Sequence, residues 1–534
     1  MLFEAVALVY RAPAMLYLDL NWDEPLYRLI GNSLASGHAP YTEFWDRKPV
    51  GIFLIMAAIK LTLGGSVLAL RNVTSMFVGL SAFLLALNAR EIFPSLPRVG
   101  TMAGFFYIFY SVKNGGAGAN TELFYVPADL AGFLLVFRAA KNIGTDVLVP
   151  AFVAGFLMGV ALQIKQTAIF DILAYAMIYL LTRVENFGRA GLPHQGRLVI
   201  ATAVGLLMPT ILIVLWYILI GKLDTYIDAN FQANIGLIGS EAPAFNTENL
   251  IVGLRGFDTL FLGAAVMLMV GAILAKSGES RRGFLAICCW LAAMTLSLLF
   301  SRRFADHFFL QVIPSISLAT AFGAVLILQA TVPARLMPMG VAICVALIGV
   351  RAGASQFNAA AEVLWRRHVE GVAHWGDRTA TISAAMATRL RRPDDVYVFS
   401  RLLGIYDACG ATPPTRFPFS LHLFSEYAPV DGEKEFKRIL DNAPRFIVVD
   451  DNWLNQMANP GPDVPNVFSM LHQTLSRNYV LDGHAGLFRS WGGGNVEGSV
   501  GATVFRLIGT PEYRSTQPLQ YDPGPQVARA EPTG

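Results

Sequence analysis

Hydrophobic positions in this chain fall in long unbroken runs rather than in alternation with polar positions. Apolar runs of about 17–25 residues recur from the N-terminus to about residue 351, and each is long enough for a helix to cross a bilayer. The first run is interrupted by Arg11 and Pro13 and is short, as expected if its helix begins upstream of residue 1. The pattern predicts about 11 transmembrane helices, at residues 1–18, 72–89, 99–112, 122–138, 149–164, 167–183, 198–220, 258–275, 284–300, 308–330 and 336–352.

The hydrophobic pattern changes after residue 352. Short strand-like runs, DVYVFS at 395–400 and RFIVVD at 445–450, follow there and alternate with helical patterns. The remaining length of about 180 residues is common for one domain. We therefore predict a polytopic α-helical membrane protein, with a transmembrane domain at 1–352 and a soluble α/β domain at 353–534.

Segment 49–70 decides the orientation of every later helix. It is apolar enough to cross a membrane, but Lys60 and the pair Gly64-Gly65 also suit a helix that lies in the interface. A crossing helix would turn most loop cations outward, so we expect an interfacial helix within the first outer loop. The cytoplasmic side then carries Arg90, Arg98, Arg138, Lys141, Arg183, Arg189, Arg197, Lys276, Arg281, Arg282 and Arg335.

The outer side collects the segments with candidate chemistry. Its first loop, 20–51, is dense in acids, bases and aromatic residues, although only 15% of the chain is charged. Ionisable groups at a membrane edge are costly and usually functional. The outer segments are the loop 20–51, the turn GGAGANTE at 115–122, the junction 165–166, the loop 221–257, the turn 301–307 and the C-terminal domain.

Composition adds two restrictions. The chain is 54% hydrophobic, and its net charge of +3 gives no indication of nucleic-acid binding. The four cysteines lack the spacing of a metal site, so we predict that most are small buried apolar residues. They are Cys288, Cys289, Cys344 and Cys409.

Asp23 and Glu24 open the first outer loop. A carboxylate there could act as a general base on a hydroxyl group or bind a divalent metal. The alternative is structural, because the two acids precede Pro25 and a predicted helix at 26–36, where they would cap the helix. Both interpretations stay open.

The run Asp46-Arg47-Lys48-Pro49 precedes segment 49–70. Lys48 could pair with a phosphate, and Asp46 could hold a metal or orient that lysine. The alternative is a salt bridge at the lipid headgroups. Glu122 ends a glycine-rich turn that lacks the Gly-Lys-Ser/Thr ending of a phosphate loop, so it is predicted to stabilise the start of the next helix.

Cations also follow two later apolar segments. Lys165 lies in a short loop or faces a polar cavity, and Arg302, Arg303 and His307 crowd a helix junction. Arginine suits phosphate through its paired donors, whereas contact with lipid headgroups is the simpler alternative. The acids and histidines of the C-terminal domain show no metal pattern, and no function is predicted for them.

A set of motifs recurs in a fixed order over roughly residues 10–350. They read WDE-x-x-Y, G-x-x-PY, D-x-KP-x-G, G-ANTE, LQIKQ and RRF-x-x-H-FFLQ-x-x-P. Together they resemble the C-type (GT-C) membrane glycosyltransferase superfamily. The closer likeness is to its bacterial branch of protein O-mannosyltransferases and lipopolysaccharide aminoarabinose and galacturonic acid transferases. One motif reads KPV where many relatives have KPP, but no charged group is lost.

The resemblance implies an inverting transferase that moves a sugar from a polyprenyl-phosphate donor to an acceptor hydroxyl. It places the enzyme in the bacterial inner membrane, with its site and C-terminal domain facing the periplasm, where lipid, glycan or protein would be the acceptor. It matches Asp23, Glu24 and Asp46 to catalytic positions. The candidates for the donor phosphate are Lys48, Lys165, Arg302, Arg303 and His307. A divalent metal is compatible with Asp46 and Glu122 as ligands.

Two rival functions stay open. A transporter or lipid flippase would show inverted repeats or broken helices that meet at mid-membrane. Here the charges gather at one face, and the sequence shows no internal repeat. A non-catalytic assembly factor of the cell envelope is the other alternative.

Overall fold

A computed structural model describes residues 1–141, 147–235, 247–257, 259–301, 304–424, 431–458, 466–485 and 501–510. Helices contain most of the described residues up to position 368. Eight are labelled α1 (Leu2–Arg11), α2 (Asp23–Ala35), α3 (Val50–Leu63), α4 (Val67–Ile92), α5 (Pro97–Tyr110), α6 (Thr121–Lys141), α7 (Leu148–Ile164) and α8 (Ala168–Leu219). The later ones are Leu223–Ile227, Thr247–Phe257, Thr259–Leu274, Gly278–Ser301, Ile313–Thr331 and Met337–His368.

Six of the described helical segments are long and apolar enough to cross a membrane, or seven if one bent pair counts as a single span. This agrees with a polytopic membrane protein, but the predicted count of about 11 is not confirmed. Some predicted spans fall in shorter helices, such as α5 with 14 residues and α7 with 17. The six are Val67–Ile92, Thr121–Ala140, His194–Leu219, Gly278–Phe300, Asp306–Thr331 and Ala334–His368.

Two helices run through positions where the hydrophobic pattern predicted a boundary. The 52-residue helix α8 covers both predicted spans 167–183 and 198–220. The helix Met337–His368 continues past residue 352, where the pattern becomes less apolar. The division into domains at 352 therefore stays a prediction.

Segment 49–70 forms the short helix α3 and the start of α4. α3 has 14 residues, about 21 Å at 1.5 Å per residue, which is less than the roughly 30 Å of a bilayer core. Gly64 ends it in the left-handed region, with φ of 81°. Val50, Phe53 and Met56 are buried against the rest of the protein. A helix of this length agrees with one that does not span, while its place in the interface stays a prediction.

The C-terminal part contains a four-stranded mixed sheet in the order β1-β2-β4-β3. Its strands are β1 (Val396–Phe399), β2 (Phe446–Asp450), β3 (Tyr479–Ala485) and β4 (Ala502–Leu507). β1 and β2, which the sequence pattern predicted, are parallel, with Val396 opposite Phe446, while β4 is antiparallel to both β2 and β3. The helices here are Arg378–Met386, Gly404–Cys409, Leu421–Phe424, Gly432–Asp441, Asp451–Ala458 and Asn466–Asn478.

Candidate functional site

Helix α2 begins at Asp23, but neither Asp23 nor Glu24 caps it. No side chain of the N-cap residue, Trp22, bonds to the helix, and the backbone N–H of Glu24 donates to Asn21 Oδ1 at 2.8 Å. The structure therefore does not support the alternative in which the two acids cap this helix, because Asn21 supplies the acceptor. Both carboxylates are buried and point elsewhere.

Glu24 forms a buried ion pair with Arg71 of α4. The distance from Arg71 Nη2 to Glu24 Oε1 is 2.7 Å, and each side chain is only 1% exposed. Glu24 Oε2 also accepts the backbone N–H of Ala119 at 2.8 Å. Arg71 in turn donates to the carbonyls of Ala14 and Leu18, at 2.6 and 3.0 Å. Both oxygens of Glu24 are thus bonded, which favours a structural role over the predicted catalytic one.

The hydrophobic pattern did not identify Arg71 as a residue of the site. Arg71 directly precedes a predicted span, 72–89. A cation at the end of an apolar helix was the available signal.

A second buried arginine holds the segment 111–120, which is the glycine-rich turn as the structure has it, since Thr121 and Glu122 belong to α6. Arg11 Nη2 donates to the carbonyl of Ala117 at 3.0 Å. The turn leaves no room for a side chain at Gly118, because a Cβ there would lie 2.3 Å from Asn21 Nδ2. Gly115 has φ of 74°, a conformation that favours glycine, and its carbonyl accepts Asn120 Nδ2 at 2.7 Å. Arg11 and Arg71 therefore anchor the scaffold on which the candidate acids lie.

Asp23 and His307 face each other in the protein interior. Asp23 Oδ2 lies 3.4 Å from His307 Nε2, and neither atom has a hydrogen bond to any residue that the structure describes. Burial raises the pKa of the Asp23 carboxyl, but Lys48, His307 and Lys165 outweigh it and hold the pKa below its ordinary value. Asp23 is therefore an ionised carboxylate with an oxygen available for another group.

Asp46 and Lys48 lie near Asp23 and share its charge environment. Asp46 is 3% exposed; its Oδ1 accepts the backbone N–H of Arg47 at 2.7 Å, and its buried Oδ2 has no partner within the described ranges. Burial raises the pKa of Asp46 to about 6, with Lys48 opposing the rise and Asp23 adding to it. Lys48 Nζ lies 5.9 Å from the ring centre of Tyr27.

Glu122 and Lys165 form a buried ion pair between α6 and the break that separates α7 from α8. Lys165 follows the last residue of α7 and has an extended backbone, so its side chain does not continue a face of that helix. Its Nζ lies 4.9 Å from the ring centre of Phe308, next to His307. Lys165 is thus the loop cation facing a polar interior that the sequence left as one alternative.

Six of the predicted site residues gather in one place, on the evidence of these contacts and electrostatic interactions. Four parts of the chain supply them: loop 20–51, the start of α6, the break between α7 and α8, and the turn before the helix Ile313–Thr331. Arg302 and Arg303 lie outside the residues that the structure describes. The six are Asp23, Asp46, Lys48, Glu122, Lys165 and His307.

The metal candidates Asp46 and Glu122 do not form a ligand group of the expected size. In the parts of the chain that are described, no three His, Cys, Asp or Glu side chains are placed to hold a metal ion. Glu122 is also engaged with Lys165. These residues do not fit a metal centre built from three or more such side chains.

The C-terminal part covers loop 20–51 and closes the site on one side. Trp45 donates its backbone N–H to the carbonyl of Arg416 at 2.9 Å, and Arg416 Nη2 donates to the carbonyl of Tyr41, also at 2.9 Å. Arg28 also pairs with Asp407. We call these contacts, together with those of Asp19 to Thr379 and Gly404, the seam. An ionised carboxylate in this setting can accept a proton, and the cations beside it can stabilise an anion.

Comparisons with known proteins find likeness in structure only. No protein-family model and no curated protein matches the chain. The apo oligosaccharyltransferase of Archaeoglobus fulgidus matches at 13% identity and a TM-score of 0.53, over 91% of this chain and 80% of that one. The same enzyme with zinc and sulfate matches at 12% identity and 0.49, over 90% and 71%. Its complex with an inhibitory peptide and a dolichol-phosphate matches at 12% identity and 0.47, over 90% and 73%.

The first of these matches shows that the chain shares its fold with this oligosaccharyltransferase along nine tenths of its length. The sequence motifs had implied the C-type glycosyltransferase superfamily, and the shared fold agrees with that expectation. Membership of the superfamily and of its bacterial branch stays a prediction.

Proposed function

We propose that this protein is an inverting glycosyltransferase that uses a polyprenyl-phosphate-linked sugar as donor and an acceptor hydroxyl group. The observation that carries the proposal is the ionised, buried carboxylate of Asp23, with an unbonded oxygen 3.4 Å from His307 Nε2 and under the influence of Lys48 and Lys165. A fold shared with an oligosaccharyltransferase supports it.

In the proposed reaction the acceptor oxygen attacks the anomeric carbon of the sugar. A new carbon–oxygen bond forms as the bond from that carbon to the phosphate oxygen breaks, and the configuration inverts. Asp23 takes the proton of the acceptor hydroxyl. The leaving polyprenyl phosphate carries the electron pair and is stabilised by Lys48, Lys165 and His307. Arg302 and Arg303 stay candidates for the same role.

Asp23 and Glu24 take different roles in this proposal. Glu24 bonds to Arg71 and to the Ala119 backbone, so its charge is compensated before any substrate arrives. Asp23 Oδ2 contacts His307 Nε2 at 3.4 Å but has no hydrogen bond among the described residues. Glu24 therefore positions loop 20–51 and the glycine-rich turn, and Asp23 performs the proton transfer.

The proposed setting follows the predicted topology. The enzyme lies in the bacterial inner membrane with its site toward the periplasm, and it modifies envelope lipid, polysaccharide or protein. A donor held by a lipid tail accounts for a site beside apolar helices.

The test is the Asp23→Asn variant, assayed in proteoliposomes with polyprenyl lipids and envelope acceptors from cells that lack the gene. We expect transfer to fall at least about 100-fold, the size of a lost general base, with polyprenyl phosphate binding kept. Glu43→Gln is the matched control, since Glu43 is an acid of the same loop whose side chain is 37% exposed. Full transfer by the Asp23→Asn variant would overturn the assignment.

A transporter or lipid flippase is the second candidate, and one observation favours it. Asp129 and Asp171 are buried inside the helix bundle, where ionisable groups often mark transport pathways. Asp171 accepts the N–H of Trp290 at 2.7 Å and the O–H of Tyr125 at 3.0 Å. This candidate predicts movement of a fluorescent polyprenyl phosphate across proteoliposomes that is lost in Asp129→Asn and kept in Asp23→Asn.

A further inference from the structure

One histidine of the C-terminal part lies at the candidate site, although no sequence motif identifies it. His422 belongs to the short helix Leu421–Phe424 and is 4% exposed. Its ring meets the Trp45 ring edge-on, with centroids 4.8 Å apart and planes at 89°. Trp45 directly precedes Asp46, so His422 packs on the part of loop 20–51 that carries the candidate acid and lysine.

The chain around His422 is fixed from two directions. Phe419 packs on Trp22 with ring centroids 4.3 Å apart, and it also meets His422 edge-on at 5.3 Å. Ser420 Oγ donates to the carbonyl of Val398 in β1 at 3.1 Å. His422 is therefore held between the sheet of the C-terminal part and the first outer loop.

His422 has a polar atom that nothing described in the structure satisfies. Its Nδ1 is buried and has no hydrogen-bond partner among the described residues. Burial, and after it the charge of Arg47, lower the pKa of His422 to about 3, while Asp23 acts in the opposite direction. The imidazole is thus neutral at physiological pH and close enough to Asp23 to sense its charge.

A neutral imidazole suits the acceptor of the proposed reaction better than its phosphate-bearing donor. Phosphate groups are recognised by cationic donors, which Lys48 and Lys165 supply on the donor side. A neutral ring nitrogen can donate or accept one hydrogen bond, which suits an uncharged hydroxyl-bearing group. Its buried orphan atom is costly unless a ligand pairs with it.

We infer that His422 binds the acceptor, with Nδ1 hydrogen-bonded to an uncharged polar group of the molecule whose hydroxyl Asp23 deprotonates. The C-terminal part thereby contributes an acceptor-binding residue, which packs against Trp45 of loop 20–51. This inference rests on the proposed transferase function and adds the acceptor side to it.

The experiment compares three variants of the full chain in proteoliposomes. His422→Phe keeps an aromatic ring against Trp45 but removes both nitrogens. His422→Asn places a polar atom near the position of Nδ1. His472→Asn is the control, because His472 is exposed on the helix Asn466–Asn478. The acceptor probe is an envelope fraction from cells that lack the gene, depleted of polyprenyl lipids by anion exchange, and the donor is added as a polyprenyl lipid extract.

We expect His422→Phe to raise the half-saturating amount of acceptor about tenfold, the effect of one lost hydrogen bond of about 1.4 kcal/mol. The half-saturating amount of donor and the melting temperature stay near wild type, and His422→Asn recovers most of the acceptor affinity. Equal losses for donor and acceptor, or an unchanged acceptor requirement, would overturn the inference. Absence of transfer by the wild-type chain would instead refute the proposed function.

Discussion

At the residue scale, two adjacent carboxylates differ because their partners differ. Glu24 is neutralised by Arg71 at 2.7 Å, whereas Asp23 Oδ2 is left beside His307 without a hydrogen bond among the described residues. Neighbouring acids whose surroundings separate them in this way often divide structural and catalytic work. This difference is what the sequence WDE alone does not contain.

Asp46 leads to a prediction about the pH dependence of transfer. Burial raises its pKa to about 6, whereas cations hold the pKa of Asp23 low. Ionised Asp46 attracts Lys48, so the rate should rise as the pH increases through about 6. In the Asp46→Asn variant this rise of the rate with pH should be absent. Initial rates between pH 5 and pH 8 would check the prediction, and an unchanged rise in the variant would contradict it.

The Glu24–Arg71 pair leads to a prediction about stability. Arg71→Met leaves the buried Glu24 charge without its counter-ion, and such losses cost about 3–5 kcal/mol. The double variant Glu24→Gln, Arg71→Met should recover part of that loss, because no unpaired charge remains. Thermal unfolding in detergent measures the loss in the single variant and the recovery in the double variant. If the single and double variants melt together, the pair is not what stabilises this corner.

The sequence allowed the charged residues of the site to be predicted, but not which of them contact one another. The density of charges in loop 20–51 and the cation at Lys165 identified members of the site, because charges near apolar helices are rare. Glu122 pairing with Lys165 and the placement of His422 depend on contacts between distant parts of the chain. A single sequence does not report such contacts.

At the scale of elements, the glycine-rich turn at 111–120 shows how closely the backbone approaches loop 20–51. A Cβ on Gly116 would lie 2.1 Å from the carbonyl oxygen of Ser111, and one on Gly118 would lie 3.2 Å from Glu24 Oε2. The glycines at 116 and 118 thus allow the turn to bring the Ala119 N–H within hydrogen-bond distance of Glu24. The sequence pattern predicted a turn here but not this approach.

This close approach predicts that Gly118→Ala destabilises the protein by about 1–3 kcal/mol, the usual cost of forcing atoms into a packed site. Transfer should fall as well, since the turn supports Glu24. Gly263→Ala is the matched control, because its added Cβ would meet nothing within 4 Å. The melting temperatures of the two variants decide the matter; equal values would contradict the prediction.

Helix lengths explain which elements the hydrophobic pattern predicted well. Long apolar helices such as α4 were found near their predicted places. Pattern alone could not decide that α8 is continuous, because two apolar stretches separated by polar residues look like two spans. It also could not predict that Met337–His368 continues beyond its apolar half.

At the scale of the whole molecule, the seam joins the C-terminal part to the start of the chain. Asp19 Oδ2 accepts Thr379 Oγ1 at 2.8 Å and the backbone N–H of Gly404 at 3.1 Å. Arg28 pairs with Asp407, and Trp45 bonds to Arg416. The site is therefore a product of tertiary packing across nearly 400 positions of sequence.

Asp19 gives the seam a dependence on pH. Burial raises its pKa to about 7 from an ordinary 3.8, with Asp377 and Glu24 adding to the rise and Thr379 and Arg71 opposing it. A raised carboxyl pKa contributes stability that is complete below about pH 4 and is lost as the pH rises through about 7. The melting temperature should therefore fall from pH 5 to pH 8, and less so in Asp19→Asn. Parallel declines in the two proteins would contradict this.

The position of the seam along the chain has a consequence for the order of synthesis. Ribosomes add about 5–20 residues per second, so the segment at 404–422 is made roughly 10 s after His307. A nascent chain can thus hold Asp23, Lys48, Lys165 and His307 before Arg416 and His422 exist. The part of the site that loop 20–51 and the helix junctions supply is therefore made before the C-terminal residues that pack on it. The contacts of Arg416 with Tyr41 and Trp45 form only after residue 416 has been made, so the support of loop 20–51 is completed late in translation.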